Sequence, residues 1–103
     1  MTNTARKGNV AELFVKDYLE ELGWVVASLR KAKGGGDHLA VHPDGRIWLI
    51  ETKGCKADQL WSNFRRAQRQ EMRDVPLPPH GERFCAHVCR RKIRWIPEDD
   101  WPT

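Results

Sequence analysis

The sequence predicts a single α/β domain, a mixed central sheet flanked by helices, and three observations carry that expectation. Near the N-terminus apolar residues recur at helical spacing. Five short segments are rich in strand formers, and the second and third are joined by Pro43-Asp44-Gly45, a turn signal. A second helix-like stretch lies between the third and fourth of these segments and ends in a proline-rich connector. The element order is therefore helix, three strands, helix, two strands.

Each element has its own justification. Residues 1–8 read as a flexible basic arm. Asn9 is a suitable N-cap, and Glu12 stands three residues later, the spacing of a capping box. Val10, Ala11, Phe14, Val15, Tyr18 and Leu22 then form the stripe of a helix over 10–22, which Gly23 stops. Residues 24–30 suit a strand, and Lys31 to Gly36 form a basic loop with three glycines. Asp37–His42 and Arg46–Lys53 are the arms of the hairpin. A helix is expected over 57–74, with Leu60, Phe64, Ala67 and Met72 inward and Arg65, Arg66, Arg69 and Arg73 outward. Val75 to Gly81 contains three prolines and cannot be helical. Strands near 83–89 and 92–96 follow, turning at Arg90-Arg91, and 97–103 is an acidic tail.

At 103 residues the chain has room for one core, and a core so small makes a homodimer a reasonable expectation. Lys and Arg number 18 against 14 acids, so the net charge of +4 favours a polyanionic partner. No apolar run approaches the roughly 20 residues of a membrane helix, and the N-terminus lacks a signal-peptide core. Three cysteines, an odd number without secretory context, suit reduced thiols in the cytoplasm. No contact with a membrane is expected.

The chemistry concentrates in Gly36-Asp37 and Glu51-Thr52-Lys53. Side chains alternate along a strand, so Glu51 and Lys53 share one face with Ile47 and Leu49, as where a strand leaves the core for a cleft. If Pro43-Asp44-Gly45 is a three-residue loop, His42 faces Arg46, and counting outward sets Asp37 opposite Glu51. Opposed residues hold their Cβ atoms about 5 Å apart. Two carboxylates so placed repel, and a hard divalent cation offsets the repulsion. Mg²⁺ on Asp37 and Glu51, helped by the Thr52 carbonyl, polarises a phosphoryl oxygen and acidifies water, and Mn²⁺ is expected to substitute. Lys53 then orients the nucleophile or neutralises charge developing on phosphorus. The bland alternative is an exposed Glu51–Lys53 pair with Asp37 capping a glycine turn.

The pattern Gly36-Asp37…Glu51-Thr52-Lys53 resembles the PD-(D/E)xK nuclease motif, and the αβββαβ order resembles that superfamily's restriction-endonuclease-like core. Arg6-Lys7-Gly8 before a helix with Glu12, then Leu22-Gly23-Trp24 and the glycine loop, is similar to archaeal-type and phage Holliday-junction resolvases. The similarity covers roughly residues 5–56, and Gly36 stands where the motif has proline. It implies a Mg²⁺-dependent endodeoxyribonuclease that binds a four-way DNA junction as a homodimer. Asp37 and Glu51 would be metal ligands, Lys53 the catalytic lysine and Glu12 a further active-site acid. From its position alone, Glu12 reads rather as a helix cap.

Arg6, Lys7, Arg30, Lys31, Lys33, Lys56, Arg65 and Arg66 are candidates for DNA phosphate contact, with the glycines allowing close backbone approach. Cys85, His87 and Cys89 alternate on one strand face and spread over about 13 Å, too far for one zinc ion. With Cys55 they read as packed thiols. Trp24, Trp48 and Trp95 suit a core or dimer interface, and Trp101 suits docking on a partner subunit.

Overall fold

The helix at the N-terminus begins earlier than its apolar stripe. A computed structural model describes residues 3–29, 35–55 and 59–103, with 3–9 as backbone alone, and its first helix, α1, spans Asn3–Glu21. Ala5, Arg6 and Lys7 are good helix formers, and the helix runs through Gly8. Asn9 therefore lies inside α1 and is not its cap, and the expected arm over 3–8 is helical. At the other end the Gly23 N–H donates to the Glu20 carbonyl and the Trp24 N–H to the Leu19 carbonyl, at 3.0 and 3.1 Å. This pair of bonds is the Schellman stop, with Gly23 at φ +93°.

Five strands follow: β1 (Val25–Ser28), β2 (His38–Val41), β3 (Ile47–Lys53), β4 (Glu82–Cys89) and β5 (Lys92–Pro97). They lie side by side in chain order, and every pair is antiparallel except β3 and β4. The mixed sheet is as expected. The β2–β3 hairpin has the three-residue loop: His42 N–H donates to Arg46 O and Gly45 N–H to His42 O, both at 2.9 Å. Arg90 and Arg91 turn β4 into β5 with φ of 51° and 62°, the positive values of a type I′ turn.

Each face of the sheet carries its own core. Val15 and Leu19 of α1 pack with Trp24 on Val26, Ala40, Ile50 and Ala86, with Trp48 and Trp95 at the margin. Leu49, Cys85 and Ile96 on the other face receive Leu60, Phe64, Met72 and Trp101.

The second helical stretch departs from its expected form. It is two helices, α2 (Leu60–Asn63) and α3 (Arg66–Asp74), separated where Arg65 turns extended at ψ 161°. The break resets the helical phase. Ala67 is exposed and Arg69 is buried, the reverse of a continuous amphipathic helix, and Arg73 is half-buried. Arg69 donates to the carbonyls of Phe64 and Pro102, so its guanidinium satisfies backbone acceptors that the break and the C-terminal segment leave over. Arg73 meets Glu98 at 3.2 Å and lies over the Trp101 ring.

The C-terminal segment is not a loose tail. Glu98 also pairs with Arg83 at 3.5 Å, and Trp101 is buried edge-on against Phe64, its indole N–H donating to the Ile96 carbonyl. Trp101 is thus part of this chain's own core and is withdrawn from docking on a partner. No helix among the described residues is long and apolar enough to cross a membrane.

Candidate active site

Asp37 sits where β2 begins, and three interactions fix it. Its N–H donates to the Ile50 carbonyl at 2.7 Å and its carbonyl accepts from Leu29 at 2.8 Å. Its carboxylate Oδ2 accepts the Thr52 N–H at 2.8 Å. A side-chain oxygen thus takes a place in the ladder that backbone would otherwise fill. The hairpin register pairs His38 with Ile50, and one residue further it sets Asp37 opposite Glu51, as the turn arithmetic predicts.

Glycines shape the approach to Asp37. Gly36 has φ +105°, a conformation most side chains avoid. A Cβ on Gly35 would fall 2.4 Å from the Met72 backbone nitrogen, so this glycine lets the loop lie against α3. Its smallness serves that contact, where the sequence suggested room for a nucleic-acid backbone.

Glu51 and Lys53 project from the face that carries Leu49, and Lys53 Nζ lies 3.2 Å from Glu51 Oε2. Both side chains are largely buried, 13% and 18% exposed. Burial first and the Asp37 charge second raise the Glu51 pKa, against the opposing pull of Lys53, to about 7. Glu12 on α1 adds to the same upward push, so it stands within electrostatic reach of the pair. Because Asn9 is not a cap, the capping-box reading of Glu12 falls away.

The parallel pairing of β3 with β4 supplies neighbours that local sequence could not reveal: Cys85 beside Glu51 and His87 beside Lys53. Burial holds the Cys85 thiol up at about 12, so it forms a neutral floor under Glu51. His87 is 4% exposed, and burial, with Arg94 nearby, lowers its pKa.

These residues suit a hard cation. Two acids are held together at a cost that a divalent ion would relieve. A strand residue directs its N–H and C=O toward the same neighbour, so the Thr52 carbonyl leaves β3 on the side where its N–H meets Asp37. Among the described residues no three His, Cys, Asp or Glu side chains converge as a metal group, and the oxygen donors that the site offers are the Asp37 and Glu51 carboxylates and the Thr52 carbonyl.

Of the residues expected to contact DNA, Arg65 and Arg66 are exposed at the start of α3. Arg6 and Lys7 lie in the first turns of α1, their side chains outside the described part. Arg30, Lys31, Lys33 and Lys56 lie outside the described residues altogether.

A mixed five-stranded sheet with helices on both faces, and an Asp opposite a Glu-x-Lys strand, define a restriction-endonuclease-like domain of the PD-(D/E)xK superfamily. The model of the nuclease-related domain, NERD, matches residues 7–97, and the chain belongs to that family. No curated protein matches the chain. The family supports the nuclease-type expectation and carries nothing about four-way junctions.

Proposed function

We propose that this chain is a divalent-metal-dependent nuclease that hydrolyses DNA phosphodiester bonds at the Asp37–Glu51–Lys53 site. The observation that supports it most is the opposed acid pair with a lysine ammonium 3.2 Å from one member. A binding-only domain gains nothing from raising a buried glutamate's pKa to about 7 beside a second carboxylate.

Asp37 and Glu51, with the Thr52 carbonyl, would hold Mg²⁺, and Mn²⁺ by the same donors. The ion, when bound, supplies Lewis acidity toward a phosphoryl oxygen and toward water. The Thr52 N–H holds the Asp37 carboxylate toward β3, which would lessen the reorganisation needed to hold the ion. Lys53 is anchored on Glu51 and presents its ammonium where negative charge builds on phosphorus. Glu12, on α1, would add a further acid near the pair, available to orient water. Arg65 and Arg66, with the net charge of +4, favour the polyanionic substrate.

The test is cleavage of labelled duplex, flap, single strand and immobile four-way junction, with Mg²⁺ or with EDTA, beside an Asp37→Asn protein. Cleavage lost with EDTA and in the variant supports the reading. Paired symmetric nicks on the junction alone would add the resolvase specificity that the sequence resembles. Unaltered DNA of every shape under both Mg²⁺ and Mn²⁺ would overturn the nuclease reading.

A further inference from the structure

Beyond Lys53 the chain continues through Gly54 to Cys55, and the β3–β4 register pairs Lys53 with His87. The strand β3 ends at Lys53, and Gly54 and Cys55 carry the chain on past that end while β4 runs alongside to Cys89. The side chains meet: Cys55 hydrogen-bonds Cys89, and that contact is the first cause of the raised Cys89 pKa. A disulfide needs Cα atoms some 4.4–6.8 Å apart, a separation that two thiols in hydrogen-bond contact suit. The two thiols differ in access. Cys55 is exposed, and Cys89 is half-buried with Sγ 3.6 Å from His87 Nε2. Cys55 also lines a groove of about 710 Å³ with Val10, Leu13, Phe14, Asp17, Val88 and Arg91, large enough to admit a small molecule.

We propose that Cys55 and Cys89 form a reversible oxidation site that a small disulfide such as oxidised glutathione converts to an intramolecular disulfide at the strand end carrying Lys53. The exposed Cys55 thiol, as thiolate, attacks one sulfur of the small disulfide. A Cys55 mixed disulfide forms, and one glutathione leaves with the proton from Cys55. The Cys89 thiol gives its proton to His87 Nε2 and attacks Cys55 Sγ. The Cys55–Cys89 bond forms, and the second glutathione leaves and takes that proton. Two electrons pass from the pair of protein thiols to the small disulfide, which ends as two thiols. Cys85, buried with its pKa pushed up to about 12, stays out of the exchange.

This inference does not rest on the nuclease reading, and its test reads mass alone. The full chain is incubated with oxidised glutathione, remaining thiols are alkylated, and intact mass and non-reduced peptides are measured. The expected result is a species lighter by about 2 Da before alkylation, with a Cys55–Cys89 linked peptide and one alkylated thiol, Cys85, reversed by dithiothreitol. Cys55→Ser and Cys89→Ser each abolish it, and Cys85→Ser does not. Three thiols that all still alkylate, or a glutathione adduct that persists on Cys55, would overturn the proposal.

Discussion

The Asp37 carboxylate accepts the backbone N–H of Thr52 at 2.8 Å, which ties the first acid of the site to the strand that carries the second. Removing the charge and removing the bond are therefore separable. Asp37→Asn can keep an oxygen acceptor for Thr52, so the fold should change little while cleavage falls by two orders of magnitude or more. Asp37→Ala leaves the Thr52 N–H without that acceptor and should cost about 1–3 kcal/mol as well. Parallel cleavage assays and urea denaturation of the two variants distinguish the effects.

Glu51 gives a pH dependence of definite sign. Its folded pKa of about 7 lies above the ordinary 4.5, so between those values the folded state holds the extra proton. Its contribution is then fully adverse above about pH 7, and stability of the metal-free protein falls as pH rises from about 4.5 through 7. A shift of this size corresponds to a contribution on the order of 3 kcal/mol. Glu51→Gln should flatten that decline and raise the melting temperature at pH 8 in EDTA. A melting profile with the same slope in both proteins would contradict the assignment.

Three arginines that look equivalent in the sequence should separate by stability. Arg69 is 5% exposed and holds two backbone carbonyls, so Arg69→Ala should cost about 2–4 kcal/mol. Arg65→Ala and Arg66→Ala, at exposed positions, should stay within about 0.5–1 kcal/mol. Equal urea midpoints for all three would refute the buried role of Arg69. If the exposed pair meets DNA, its variants should instead weaken binding and reduce its salt dependence.

Trp101 makes a similar point about the C-terminal segment. It is 5% exposed, packs 4.8 Å from the Phe64 ring and donates to Ile96. Trp101→Ala should cost about 3–5 kcal/mol, read by chemical denaturation at two protein concentrations. A loss that appears only as weakened self-association would return this residue to a partner interface.

The hairpin was legible because its information is local. Pro43-Asp44-Gly45 sets the loop, the loop sets the register, and the register opposes Asp37 to Glu51. The sheet's mixed character and the Gly23 helix stop follow from equally local signals. What failed was set at a distance. The break at Arg65 adjoins Phe64, which packs against Trp101 from the far end of the chain, a contact that no periodicity in 57–74 contains. The start of α1 was missed because Asn9 is a good cap wherever a helix begins, and good helix formers ahead of it carry the helix past that position. Cys85 and His87 were read as one strand's own face, since a parallel register is not written in either strand.

The most direct test of the central claim is a Mn²⁺ titration followed by electron paramagnetic resonance, on the wild-type chain, Asp37→Asn and Glu51→Gln at pH 8. Saturable loss of the free-ion signal is expected with wild type, and a weakening of binding by about tenfold or more in each variant. Wild-type binding that both variants retain, or no binding in a protein shown to be folded, would contradict a metal site between these two carboxylates.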